Sequence, residues 1–156
     1  MVTIKSIAYK PVDAKESQVG YTRIHLDTAM LIAGYGIEGD RKGGNPKRNL
    51  NVMDDMTQAE LAAEGFPTGT GTLGENIILS GIDLRTLPEG TQLRLGAEAV
   101  IELIKARVPC EELTPLDSRM PDAVEGRVGI MCRVVQSGQI VVGDSVVVLG
   151  EIIQTY

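Results

Sequence analysis

A cysteine that follows a proline at the end of an apolar run is the residue in this chain best placed to do chemistry. Ala99 to Ile104 delivers the backbone to Lys105-Ala106-Arg107-Val108-Pro109-Cys110-Glu111-Glu112-Leu113. Proline suits the first position of a helical turn because it has no N–H to leave unpaired. If Pro109 and Cys110 open such a turn, the thiol meets the positive end of the helix dipole, which favours thiolate, the form that attacks electrophiles and binds soft metals. Arg107 works in the same direction, whereas Glu111 and Glu112 oppose ionisation, so the net sign stays open. The competing reading of Cys110 is a small buried hydrophobe. Cys132, flanked by Met131 and Val134 in an alternating stretch, reads as core.

A second chemical cluster is Gly34 to Arg48, where five glycines and four cations (Arg41, Lys42, Lys47 and Arg48) fall together. Glycines let a backbone approach a ligand and present its N–H groups, and arginine forks match phosphate. The segment is either an anion pocket or a solvated loop, since its spacing fits neither a Walker loop nor a dinucleotide fingerprint. A third stretch, Gly69 to Gly74, leads into Glu75-Asn76-Ile77. It can aim two polar side chains into a cleft, or form a turn whose asparagine bonds its own backbone. His25, the one histidine, is given no role.

These residues need a frame. Val2–Tyr9 alternates and is rich in β-branched residues, so it reads as a first strand, with Tyr21–Leu26 as a second. Asn49–Met53 reads as a short strand. Asp54, Asp55 or Thr57 can then cap a helix running to about Glu64, with Thr57 and Glu60 at capping-box spacing and Gly65 as its stop. From Leu87 onward the pattern is β: a strand after Gly90, another over Ala99–Arg107, and a hairpin of Val128–Val135 with Gln139–Leu149 through Ser137-Gly138. Met120–Arg127 reads as a loop or a poorly formed helix. The expectation is a single domain over 1–156, mainly β, a closed or nearly closed β-barrel with a few peripheral helices.

Composition narrows the function classes. The 156 residues carry a net charge of −6 and are 43% hydrophobic, which fits an ordinary globular chain and argues against nucleic-acid or anionic-membrane surfaces. With one phenylalanine, four tyrosines and no tryptophan, the core must be aliphatic and the stacking surface of a single-strand binder is missing. Apolar runs are too short to span a bilayer, no signal-peptide pattern opens the chain, and two cysteines make no disulfide framework, so a cytoplasmic protein is expected.

Taken in order, Gly36-Ile37-Glu38-Gly39-Asp40-Arg41, Leu73-Gly74-Glu75-Asn76-Ile77 and Arg107-Val108-Pro109-Cys110 resemble the motifs of MOSC domains, the family named for the C-terminal domain of molybdenum-cofactor sulfurases. The Gly138 to Gly143-Asp144 stretch is similar to that family's closing element, and the resemblance spans roughly Ile4 to Leu149. It implies a barrel-based β fold and a cysteine, here Cys110, that carries sulfane sulfur or ligates molybdenum. It implies that molybdenum cofactor (molybdopterin) is held by Arg41, Lys47 and Arg48 at its phosphate, with Arg107, and by hydrogen bonds from Glu75 and Asn76. Lys42 stands where the family often has histidine. The pyridoxal-phosphate desulfurase region of longer relatives is not found here, so pyridoxal phosphate is not expected in this chain. The partners implied are a cysteine desulfurase, a molybdoenzyme acceptor or a redox partner. Three functions follow from the resemblance: a cofactor-binding or sulfur-carrier protein, a small molybdenum-dependent reductase of N-hydroxylated compounds with a separate electron donor, and a non-catalytic β-barrel interaction module.

Overall fold

The computed structural model describes residues 1–12, 23–109, 117–119 and 122–150. Its strands are β1 (Thr3–Tyr9), β2 (Ile24–Leu26), β3 (Thr28–Ile32), β4 (Gly36–Ile37), β5 (Leu50–Asp54), β6 (Ile77–Ser80), β7 (Gln92–Leu95), β8 (Ala99–Ala106), β9 (Ile130–Gln136), β10 (Gly138–Val141) and β11 (Val146–Val148), with one α-helix, α1 (Asp55–Ala63). Eight strands form one sheet in the order β11-β7-β8-β9-β5-β6-β1-β2, and β10-β3-β4 form a second. All neighbours in the large sheet are antiparallel except β5 and β6, which α1 connects as a parallel crossover.

The large sheet curls until its ends meet. Thr3 bridges to Ser145, and Ile4 N–H, Gly143 N–H and Val146 N–H bond to the carbonyls of Asp144, Ile4 and Val2 at 3.0, 2.8 and 2.9 Å. The nearly closed barrel expected from the strand-rich sequence is therefore present. Its interior is aliphatic, with Ile4, Ile7, Leu31, Val52, Ile77, Leu93, Ile101 and Val134 among the buried side chains. A smaller cluster of Met53, Leu61, Phe66, Leu73, Val124 and Val128 fills the space outside the barrel wall beneath α1. No helix among the described residues is long and apolar enough to cross a membrane.

Helix α1 starts where the sequence offered several caps, and Asp54 takes the position. Its extended backbone (φ −108°, ψ 157°) lets Oδ1 accept from the Thr57 N–H at 2.6 Å, while Oδ2 accepts from the Leu84 N–H at 2.9 Å. Thr57 is thus the third helical residue and no cap, and Glu60 is held by Arg85 instead of closing a capping box. Gly65, at φ +89°, ends the helix as expected. Because Asp54 satisfies a helix N–H and the buried Leu84 turn together, Asp54→Ala will cost about 3 kcal/mol: about 1 for the cap and about 2 for the stranded Leu84 amide. Urea unfolding at constant m-value measures it.

One strand pairing departs from the sequence expectation. Val128–Val135 and Gln139–Leu149 do not form a hairpin through Ser137-Gly138. A strand has two hydrogen-bonding edges, and those of β9 are taken by β8 and β5. The chain therefore turns away at Ser137, whose Oγ accepts from the Ala33 N–H at 2.8 Å, and β10 pairs with β3 in the second sheet. The Gln139–Leu149 stretch is two strands, β10 and β11, the latter pairing with β7. Met120–Arg127 contributes a 3₁₀ turn at Asp122–Val124. Of the expected second strand, Ile24–Leu26 is seen, and Tyr21 and Thr22 lie outside the described residues.

Candidate functional site

The motif Leu73-Gly74-Glu75-Asn76 enters β6 beside β5, and Asn76 fixes it there. Its backbone N–H bonds to the Asn51 carbonyl at 2.8 Å and its carbonyl accepts from Ala8 N–H at 2.7 Å. The side chain repeats the stitching: Oδ1 accepts from Asn51 N–H at 3.0 Å, and Nδ2 donates to the Ala8 carbonyl and to Asp40 Oδ2 at 3.1 and 3.2 Å. Both amide hydrogens are thereby engaged, and the residue is 3% exposed. Asn76 ties three segments together, and its bonds run to residues distant in sequence, unlike those of a local turn.

Asp40 is the second node. Fully buried, it accepts from Lys10 N–H at 3.2 Å through Oδ1 and sits 3.6 Å from Arg23 Nη1. Tyr35 Oη donates to its carbonyl at 3.1 Å. The glycine-rich segment is thus anchored inward at Asp40, and its neighbour Arg41 is half-buried with Nη2 donating to the Val12 carbonyl at 3.4 Å. Lys47 and Arg48 are exposed.

Glu75 is the chemically unusual group. It is 1% exposed; Gln58 Nε2 donates to its Oε2 at 3.3 Å, and Oε1 has no hydrogen-bond partner among the described residues. Loss of water disfavours the carboxylate and pushes its pKa up to about 7, against the pull of the backbone amides of Glu75, Leu73 and Gly71 and the charge of Arg107. Arg107 reaches this loop from the far side: its Nη1 donates to the Leu73 carbonyl and, at 3.4 Å, to the Val128 carbonyl. Its backbone N–H bonds to the Gly129 carbonyl at 2.9 Å. The two motifs separated by more than thirty residues of sequence (|i−j| = 34) therefore meet in space.

Gly129 makes this junction possible. Its φ is +107°, and a Cβ there would lie 2.3 Å from Asn51 Oδ1 and 2.9 Å from Met53 Cγ. Gly129→Ala will therefore destabilise by about 3 kcal/mol, combining left-handed backbone strain with overpacking. Thermal unfolding checks it, and a loss below about 1 kcal/mol would show that the Asn51 side chain yields freely.

The structure thus brings Glu75, Asn76 and Arg107 together and links Arg41 to them through Asp40. Lys47 and Arg48 precede β5, further off. Asn49 N–H bonds to the Cys132 carbonyl and Val134 N–H to Asn49 Oδ1, whereas Arg107 pairs at Gly129. Along β9 that is roughly 10–16 Å at ~3.3 Å per residue. Cys110 lies outside the described residues. Cys132 is fully buried, and burial pushes its thiol up, far from reactivity. His25 is exposed, 3.3 Å from Asp27 Oδ1. Sequence reasoning missed Arg23, Asn51 and Gln58. Asp40 stood inside a quoted motif without a role.

A profile of the MOSC domain matches residues 40–147. No curated protein matches the chain. Among solved structures, the YuaD protein from Bacillus subtilis is similar at 21% identity, covering 94% of this chain and 94% of that one, with a TM-score of 0.74. YiiM from Geobacillus stearothermophilus shares 23% identity over 96% of this chain and 76% of that one, at a TM-score of 0.74. YiiM from Escherichia coli shares 22% identity over 96% and 70%, at 0.68. At these identities the likeness is one of fold.

Proposed function

This chain belongs to the MOSC domain family, which is associated with molybdenum cofactor, and from that membership we propose that it handles the cofactor through Cys110, either by binding it or by carrying sulfur for it. The observation that carries the reading is the contact of Arg107 with the Leu73 carbonyl. It joins the Arg-Val-Pro-Cys and Leu-Gly-Glu-Asn motifs at a buried carboxyl.

The residues on hand fit an anionic pterin. Glu75 Oε1 and Asn51 Oδ1 are buried acceptors with no hydrogen-bond partner among the described residues, suited to N–H donors of a heterocycle. Arg107 supplies positive charge beside them, and Arg41 supplies it on the glycine-rich side, where a phosphate would be met. Lys47 and Arg48, solvent-exposed and further out, would add positive charge that draws an anion in. Asn76 and Asp40 hold the frame. The cofactor, when bound, supplies a redox-active molybdenum whose dithiolene sulfurs match a thiolate in softness.

Cys110 is the remaining thiol, because Cys132 is sealed in the core. As a carrier, its thiolate attacks the outer sulfur of a donor persulfide, the donor's S–S bond breaks, and the donor thiolate leaves. A cysteine desulfurase is the fitting donor and a molybdoenzyme the fitting acceptor, both met in the cytoplasm. Intact-mass measurement of anaerobically purified protein tests this step. A mass increase of one sulfur atom, absent from Cys110→Ser and removed by a reducing thiol, is expected. An unmodified wild type after incubation with a persulfide donor would overturn the carrier role.

A further inference from the structure

The turn Leu84–Glu89 and the end of β8 line a cleft of about 430 Å³ that opens onto one edge of the barrel core, within the ~300–1,000 Å³ range of small-molecule sites. Leu84, Leu87, Leu103 and Ile130 make its apolar walls, and Arg85, Glu89 and Lys105 its polar ones. Arg85 is engaged elsewhere: its guanidinium holds Glu60 at 2.9 and 2.8 Å and Asp83 at 2.9 and 3.0 Å. Glu89 and Lys105 are exposed and make no ion pair with each other or with another described residue. The Gly90 N–H bonds to the Leu103 carbonyl at 2.7 Å, which holds the Glu89 turn against the strand that carries Lys105. Behind the cleft, sharing Leu84, Arg85, Gly126 and Ile130 with it, a void of about 10 Å³ is walled by Thr57. The Thr57 hydroxyl is buried and has no hydrogen-bond partner among the described residues.

We propose that this cleft binds a small zwitterion with an apolar side chain, the chemistry of a free apolar α-amino acid. With Arg85 already held by Glu60 and Asp83, the polar lining offers a ligand one ammonium, Lys105, and one carboxylate, Glu89. A simple anion drawn to Lys105 meets Glu89, and a simple cation drawn to Glu89 meets Lys105, so each is discouraged by the like charge. A zwitterion satisfies both at once while its side chain packs over the part-exposed Leu87 and Ile130, where removal of apolar surface from water supplies the main attraction. The void at Thr57 leaves room for about one water at the deep end, with the hydroxyl as its partner. Binding in this cleft, which adjoins the Arg107–Gly129 junction, needs neither Cys110 nor molybdenum cofactor.

The test titrates the full chain with L-phenylalanine, 3-phenylpropionate and phenethylamine, following backbone amide shifts at Ala106 and Gly126. L-Phenylalanine is expected to bind about fivefold tighter than either half-charged analogue, the margin that a solvent-exposed charge contact supports. Lys105→Gln should weaken L-phenylalanine and 3-phenylpropionate by about the same factor and tighten phenethylamine by removing the like charge, with Glu89→Gln giving the mirror pattern. Both positions are exposed, so these variants keep the fold. Ala106→Trp, which plugs the cleft, should abolish all three, and Cys110→Ser should change none. Equal affinity for the three probes, no binding of any, or a ranking that survives both charge variants overturns the proposal.

Discussion

Replacing Glu75 with glutamine will make the protein more stable at pH 8 and leave its stability near pH 4.5 unchanged. The folded-state pKa stands at about 7 against an ordinary value of 4.5, with burial as the main cause. Below pH 4.5 both folded and unfolded chains hold the proton, and the group contributes no pH dependence. Between pH 4.5 and 7 the unfolded chain has released the proton while the folded chain retains it, so stability falls as pH rises. Above pH 7 the full cost of the buried carboxylate is carried, up to about 3 kcal/mol at 1.36 kcal/mol per pKa unit. Glutamine keeps an acceptor for Gln58 Nε2 and removes the ionisation, so the variant's stability loses this slope. Urea unfolding of both proteins across pH 4.5–8 gives the comparison. A wild type that gains stability over that interval would mean that Arg107 and the backbone amides outweigh burial.

Asp40→Ala will be the most damaging single substitution at the site, at about 4 kcal/mol, the scale for removing one partner of a buried charge pair. The carboxylate is fully buried and gathers Lys10 N–H, Asn76 Nδ2 and the neighbouring Arg23 guanidinium, whose side chain is 5% exposed. Its loss withdraws the acceptor from two donors and leaves less compensation for a buried cation. Asp40→Asn restores an acceptor but not the charge, and should recover about half of the loss. The pair of variants separates charge from hydrogen bonding. If alanine and asparagine cost the same, the electrostatic part is negligible, and if both cost under about 1 kcal/mol, the node is not structural.

Helix α1 and strand β8 were legible because their signals are local. An aspartate stands before a helical run and a glycine after it, and Val100, Ile101 and Ile104 favour extended backbone. The pairing of β10 with β3 was not legible, since it is decided by both edges of β9 being taken, a fact spread over three distant segments. The site divides in the same way. Glu75, Asn76 and Arg107 stood out by motif, yet the sequence pattern Gly-Glu-Asn suits an exposed turn equally well. What buries Glu75 is α1 lying over it with Gln58, a contact across |i−j| = 17. Arg23 gave no signal of its own, because its importance comes from Asp40, and Asp40 in turn from the loop that folds over β1. Lys47 and Arg48 were grouped with Arg41 by proximity in the chain, whereas they precede β5, where Asn49 bonds to Cys132 and Val134 and not to Gly129, the partner of Arg107.

Molybdenum and pterin content, measured per mole of protein purified anaerobically from a cofactor-producing host, bears most directly on the proposed role. Wild type is expected to retain both after gel filtration, Cys110→Ser to lose most of the metal, and Arg107→Ala to lose metal and pterin together while remaining folded. Equal content in wild type and Cys110→Ser, alongside an unmodified thiol at position 110, would contradict the account.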